Sequence, residues 1–498
     1  MIIPKAQAEE LLDLTIEVVK EVAIEAHKYI GSHERIRGYC KYPILDHMFP
    51  KDQPEFKEMY EKIPFLIYDI PQYDLKDFPE DSIQYGAIFN GYNSDRINIL
   101  EFERFKKLYQ YIIDTEELRT AFFKDVSEPS EHAIKTMISE IVERYLYKTN
   151  ANDEVPQDVE KKIAPFVIEK LKRYILDSLK IDIYVPICLA TFEDDNITLN
   201  DTVEIIRISP DIQKARKKAC TYESVNEDSV AACATHMIVI HNYHFNNKEY
   251  ISINDSTRRY TAYPLDIIDN IMAVIRIVTG YSIGYEQIIS SPIGWVDSIC
   301  ADLTPLYGAK THFVNPLELE KGWFHLPVSY IDSKQAEDIK KLYETVMNFD
   351  QGNNNSKLFF ALKRLNRCML RNEVDDMAID ATIGLEALLS GGTKGEITYT
   401  ISNRIPIVFK FESNEKYALN DCRNIMKKIY NYRSSVVHGA TLKDKDRFYI
   451  NNDSKIPIEK IAVDFLRQTL LFVLHNPEYI DAKKFDECID NAVLKSNI

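Results

Sequence analysis

DCRNIMKKIYNYRSSVVHGA, residues Asp421 to Ala440, carries its apolar side chains at helical spacing. Cys422, Ile425, Met426, Ile429, Tyr430, Val436 and Val437 recur as they do on a helix with one buried face. The other face holds Arg423, Lys427, Lys428 and Arg433 against the single acid Asp421, in a chain whose formal net charge is −16. Gly439 marks the end of the helix, since a glycine just past the last periodic residue is the usual C-terminal cap. Arg433 and His438 therefore stand on the last turns of one amphipathic, locally basic helix.

That pair has a specific chemical use. Cleaving RNA without a metal needs a base for the 2′-hydroxyl, an acid for the leaving 5′-oxygen and a cation beside the developing phosphorane. Histidine, whose ordinary pKa is about 6.5, can take or give a proton at neutral pH. Arginine stays charged and offers a planar fork that matches two phosphate oxygens. A fixed cation aimed where charge develops is commonly the largest catalytic term. One chain supplies only one such histidine. Two copies of the helix packed side by side would place two imidazoles and two guanidinia in one cleft.

Arg433-Ser-Ser-Val-Val-His438-Gly439 resembles the R-x4-H motif of HEPN-domain proteins, and in particular of the Apea-like HEPN group. MAIDATIGLEALLSG (Met377 to Gly391) and ITYTISNRIPIVF, with Arg404, extend the resemblance over roughly residues 333–477. It implies an all-α bundle, dimerisation through the Glu415–His438 helix, and metal-independent endoribonuclease activity with no cofactor. It also implies a role in anti-phage defence, abortive infection or a toxin system, with a phage-derived trigger or an inhibitor protein as a partner. Carried over residue by residue, Arg433, His438 and Glu386 are catalytic. Asp380, Ser434, Arg404 and Tyr430 support them, and Arg423, Lys427 and Lys428 meet RNA. One departure is that Ala440 stands where HEPN toxins silenced by tyrosine nucleotidylation carry a tyrosine, which argues against that form of control.

Composition bounds the alternatives. With 498 residues, 45% of them hydrophobic, the chain can build two or three cored domains. Only 15 are glycine, and neither G-x-x-x-x-G-K-[ST] nor G-x-G-x-x-G occurs, so an NTPase or dinucleotide-binding reading has no support. The acidic total opposes broad, nonspecific binding to nucleic acid, but leaves room for one basic cleft. Eight scattered cysteines without a C-x-x-C pair, an amphipathic start and the lack of a long apolar run predict a reduced, cytoplasmic protein off the membrane.

The expected fold class is mainly α with a small β-containing middle region (α+β) and a C-terminal HEPN-like bundle. Residues 1–179 read as a mostly helical region, with 32–94 irregular apart from short elements and a helix starting after the cap-like Ser127-Glu-Pro-Ser-Glu. Residues 180–262 read as a small sheet, because Ile181–Phe192, Thr202–Ile208 and His236–Phe245 are β-branched and partly alternating. Residues 263–332 read as a helical connector, in which SSPIGW and DLTPLYG mark loops. Residues 333–498 read as the bundle.

Each site residue also has a plain structural reading. Arg433 suits a surface ion pair, and His438 a helix C-terminus favoured by the dipole. Glu386, on an apolar helix, must find a partner, either Arg433 or Arg404, or stay protonated. Asp380 fits a solvated face as well as a site. Cys233, His236, His241 and His244 match no common zinc spacing, and His236 and His241 fall on opposite faces of a strand. Tyr430 and Tyr432 suit packing or base stacking. Lys214, Arg216, Lys217 and Lys218 suit a solvated face or an RNA contact. The functional rival to the nuclease is a non-catalytic HEPN protein that binds or scaffolds a partner.

Overall fold

The computed structural model describes residues 3–37, 42–47, 71–76, 82–90, 96–123, 129–219, 234–247, 257–297, 303–313, 329–350, 356–391, 396–412, 416–440, 442–451 and 454–496. Within them the chain is mainly helical around a central antiparallel sheet, the α+β arrangement expected from the change of hydrophobic period.

Helices α1 (Lys5–Ser32), α2 (Glu103–Asp114), α3 (Glu116–Phe123), α4 (Glu131–Thr149) and α5 (Val159–Ile175) gather around Leu11, Val18, Phe105, Tyr145 and Ile163. Within the cap-like Ser-Glu-Pro-Ser-Glu stretch, Ser130 caps α4, its hydroxyl accepting from the His132 N–H at 3.2 Å; Ser127 lies outside the described residues. The stretch expected to be irregular holds an antiparallel pair, β1 (Tyr42–His47) and β2 (Pro71–Lys76).

The sheet region supplies β3 (Ser178–Pro186), β4 (Ala190–Phe192), β5 (Asn196–Asn200), β6 (Val203–Arg207), β7 (His236–Asn246), β8 (Tyr285–Pro292), β9 (Tyr307–Phe313) and β10 (Ser329–Ile331). Six strands form one sheet in the order β5-β6-β7-β3-β8-β9, every neighbour antiparallel, while β4 pairs in parallel with β10. This corrects the expected helical connector, because β8 and β9 lie inside 263–332. Strand β8 is buried along most of its length and keeps Glu286, Gln287 and Ser290 inside. A strand covered on both faces has no alternation to read.

Helix α6 (Pro210–Ala219) lies on one face of the sheet, with Ile212 and Ala215 against Tyr184, Met237, Val239 and Ile289. The basic run expected on a solvated face therefore loses one member to the interior. Arg216 is buried, donating to the Gln213 and Gln287 side-chain oxygens.

Helix α7 (Leu265–Thr279) lies against the opposite face. Ile268, Ile271, Met272, Val274, Ile275 and Ile277 are all fully buried. A helix apolar all round needs cover on every side. The sheet covers one side, and α8 (Ser333–Asp350), α9 (Ser356–Met369) and α13 (Ile458–His475) cover the rest. A single core consequently runs from Leu179 to Phe485. Within it Arg276 donates to the Asn366 side chain at 2.6 Å and to the Ile283 carbonyl, and burial lowers its pKa to about 10.

The remaining helices are α10 (Val374–Leu389), α11 (Ile397–Phe411), α12 (Leu419–Val437) and α14 (Lys483–Ser496), with a hairpin of β11 (Phe448–Asn451) and β12 (Ser454–Pro457) ahead of α13. No helix among the described residues is long and apolar enough to cross a membrane. Cys188, Cys368 and Cys422 are buried and Cys488 is half-buried, with no disulfide among them; the other four cysteines lie outside the described residues.

Candidate functional site

Helix α12 packs against α10, α11 and α13 through Cys422, Ile425, Met426, Ile429 and Tyr432. It ends as the glycine predicts. Gly439 takes φ +66°, its N–H bonds the Val436 carbonyl at 3.1 Å, and the Ala440 N–H bonds the Ser435 carbonyl at 2.8 Å. These two bonds make the cap in which a left-handed residue satisfies the last carbonyls. His438 is the capping residue. Its backbone N–H bonds the Ser434 carbonyl at 3.1 Å, and its side chain is exposed.

At 100° per residue, Arg423, Lys427, Ser434 and His438 fall within about 60° of one another. All four are exposed, so they form a single stripe along the helix. Lys428, expected with them, lies about 100° away from Lys427 and is only half-exposed. At the start of the stripe the Arg423 guanidinium sits over the Tyr399 ring, 5.7 Å from its centre. Tyr399 is 55% exposed on α11 and was not singled out from sequence, since an aromatic in a helical run reads as core.

Arg433 lies on the flank of the stripe, half-buried. The expected ion pair between it and Glu386 is not formed. The Glu386 carboxylate instead accepts a short hydrogen bond from the Tyr430 hydroxyl, which brings α10 and α12 together. Tyr430 and Arg433 are one helical turn apart, and the rigid phenol reaches the acid where the guanidinium does not. Burial above all, then the Glu386 hydrogen bond and charge, push the Tyr430 pKa up, while the Arg433 charge opposes the shift. Arg433 is thus within electrostatic reach of the pair, and its Nε is buried without a hydrogen-bond partner.

Two other expected members stand elsewhere. Asp380 is buried rather than solvated, one oxygen bonded to Arg364 and the other to Arg371 Nε at 2.9 Å. It locks α9 and the turn after it to α10. Arg404 pairs with Asp486 of α14 at 2.6 and 3.0 Å, and also caps α10 at the Leu389 carbonyl, so it bridges to neither Glu386 nor the motif. Tyr432 is core, its hydroxyl on Asp375. Ser434 is exposed beside His438 on the stripe.

The three histidines of β7 take separate partners. His236 is buried against Phe192, with Nδ1 on the Thr235 hydroxyl at 2.8 Å, and burial lowers its pKa to about 4. His241 lies between Asp182, at 3.3 Å, and Glu204, at 2.9 Å, and His244 meets Ser178. Cys233 lies outside the described residues. Among those residues no three His, Cys, Asp or Glu side chains converge as metal ligands.

Sequence reasoning also passed over a cavity of about 390 Å³ where α7, α10 and α13 meet the segment before α12. Its charged lining comes from Lys416, in the turn before α12, and from Lys460, Asp464 and Arg467 on α13, with no motif among them. Compared with family models, with curated proteins and with solved structures, the chain matches none.

Proposed function

We propose that this chain is a metal-independent endoribonuclease of HEPN type, acting as a homodimer through α12, with the rest of the chain sensing a trigger or restraining the activity in a defence or toxin role. In this reading His438 is the acid or base, and Arg433 is the cation that meets the developing phosphorane. Glu386 acts through Tyr430, fixing the wall beside Arg433, rather than by binding the guanidinium. Arg423 and Lys427 hold phosphates along the stripe, and Tyr399 offers a ring on which a base can stack.

The observation that carries the reading is that Arg433 and His438 are uncommitted. Neither makes an ion pair among the described residues, whereas Arg364, Arg371, Arg404 and Arg467 of the bundle each hold a carboxylate. Two symmetric copies meeting along α12 would bring each His438 near its counterpart and build one composite cleft. Val437 and Leu419, 51% and 42% exposed on the same helix, suit such a contact. They suit a scaffold's protein contact equally, which is the competing reading.

The test is chemical. Purified chain is incubated with RNA in excess chelator, and the product ends are analysed. Attack by the 2′-hydroxyl leaves a 2′,3′-cyclic phosphate and a 5′-hydroxyl, and light scattering is expected to give the mass of a dimer. Cleavage only with an added divalent ion, or 3′-hydroxyl and 5′-phosphate ends, would overturn the mechanism. No cleavage by a well-folded dimer would favour the scaffold.

A further inference from the structure

Strand β7 bulges opposite Asp182. Ile181 pairs with Tyr243 and Ile183 with Ile240, so the single Asp182 of β3 faces both His241 and Asn242. Asn242 takes a left-handed backbone, φ +58°, which asparagine adopts more readily than most residues. A bulge re-aims a side chain, and here the re-aimed one is an imidazole. One oxygen of the Asp182 carboxylate accepts from the Asn242 N–H at 2.8 Å, and the other lies 3.3 Å from His241 Nδ1. Across the ring, Nε2 lies 2.9 Å from the Glu204 carboxylate of β6. The His241 backbone N–H reaches the Thr202 carbonyl, in the β5–β6 turn, at 2.8 Å. The ring therefore ties β6 to β3 across the strand that separates them.

The other polar groups of this face are turned elsewhere. Lys180 and His244 face each other further along β3 and β7, with His244 on the Ser178 hydroxyl at 3.2 Å. Asp201 is exposed in the β5–β6 turn. Tyr184 follows Asp182 on β3 and feels the same two carboxylates. Helix α6, packed on this face, directs its buried Arg216 to Gln287 of β8. Burial works against a charged ring at His241, but the hydrogen bonds and charges of Glu204 and Asp182 outweigh it. An imidazolium donates from both nitrogens and so satisfies both carboxylates. A neutral imidazole has one N–H and one lone pair, serves one carboxylate and turns the lone pair on the other. We propose that His241 is a proton-operated clasp: charged, it holds the β5–β6 hairpin to β3 across the bulge, and on losing its proton it lets one of the two strands go. The hairpin is the part free to loosen, because β5 is the outer strand and β6 joins the sheet through β7 alone. It is also where the sheet meets α8, which β5 contacts, so the proton sets how firmly the two are held together. The clasp stands apart from the nuclease reading.

The full chain, labelled with carbon-13 in its histidines, is titrated by nuclear magnetic resonance, and the His241 signal is assigned by its loss in His241→Gln. Its midpoint is expected above the ordinary value of about 6.5. Hydrogen exchange is then read by mass spectrometry on either side of that midpoint, with times corrected for the intrinsic effect of pH on amide exchange. Amides of β5 and β6 should exchange about threefold faster above the midpoint, the worth of a partly exposed ion pair, while those of α13 keep their rate. In Glu204→Gln the side-chain amide can accept from the charged ring or donate to the neutral one. The step in hairpin exchange should therefore disappear in that variant, and the midpoint should fall. The wild-type titration and exchange decide the question on their own if the variant fails to fold. A midpoint at or below the ordinary value, hairpin exchange that does not change across it, or an equal step in folded Glu204→Gln would each overturn the clasp.

Discussion

His438→Ala separates chemistry from stability more cleanly than any other change in this chain. The His438 side chain is exposed and makes no hydrogen bond or ion pair among the described residues. What the residue gives the fold is its backbone N–H, bonded to the Ser434 carbonyl, and alanine keeps that bond. The other two hydrogen bonds of the cap come from the backbone N–H groups of Gly439 and Ala440. Exposed substitutions of this kind change stability by less than about 0.5 kcal/mol, and the melting temperature should move by less than about 2 °C. If the imidazole transfers a proton in the rate-limiting step, its loss costs about 10²- to 10⁴-fold in cleavage.

Gly439→Ala supplies the opposite control. A methyl group there meets nothing within 4 Å, so the only penalty is the left-handed backbone at φ +66°. That amounts to about 1 kcal/mol, with a correspondingly larger drop in melting temperature. Scanning fluorimetry on both variants, with cleavage of an end-labelled RNA followed on gels, reads the two effects side by side. Full activity in His438→Ala would refute the catalytic assignment. A large loss of stability in that variant would refute the claim that the side chain is uncommitted.

Four further outcomes are expected. Arg433→Lys should cut cleavage sharply in calorimetrically normal protein, because a point charge cannot reproduce the bidentate fork; an active lysine variant would remove Arg433 from the site. Asp380→Ala leaves Arg364 and Arg371 without their shared carboxylate, which is 3% exposed, and should destabilise by about 3 kcal/mol. Chemical denaturation would show that loss, while cleavage below the transition should persist; activity lost with stability unchanged would return Asp380 to the site. Burial alone would lower the His241 pKa, but the hydrogen bonds and charges of Glu204 and Asp182 raise it above its ordinary value. Its stabilising contribution is therefore complete below the ordinary imidazole range and fades as pH rises through the raised value, so the stability gap between wild type and His241→Gln should narrow as pH rises above about 6.5; a gap that widens with pH would contradict this. Finally, a fragment starting at Ser333 should be insoluble or molten, because it strips α7 from the bundle; a cooperative melt of that fragment would show that the bundle needs no such cover.

How much of this was legible in the sequence depended on where each residue's partners lie. The helices of the bundle were readable to within a few residues because each buries one face, which leaves a period of 3.6. The end of α12 was readable because Gly439 is required by a local φ. The strands β8 and β9 were not, since Glu286, Gln287 and Ser290 are buried through contacts distant in sequence. The same limit governs the site. The resemblance placed Glu386 opposite the motif helix but could not say that Tyr430, three residues before Arg433, would reach it first. It also drew Asp380 and Arg404 toward the motif, whereas tertiary packing gives them Arg364, Arg371 and Asp486 as partners.

The continuous core has a consequence for control. Helix α7 is buried continuously from Ile271 to Ile277, touching the sheet on one flank and α8, α9 and α13 on the other. It is also stitched to α9 by Asn366, which donates to the Asp269 carbonyl at 2.8 Å, and to α13 by Arg467, which donates to the Ile277 carbonyl at 2.8 Å. The N-terminal helices join the sheet through Asn247, whose amide donates to the Arg173 and Leu176 carbonyls at the end of α5. A displacement of the N-terminal helices therefore has a packed route through the sheet and α7 to α13, and α13 contacts α12 directly. Close-packed interiors transmit strain rather than absorb it. Under the proposed function, the residues ahead of the bundle would need no catalytic group of their own, only a means to bias how α12 is held.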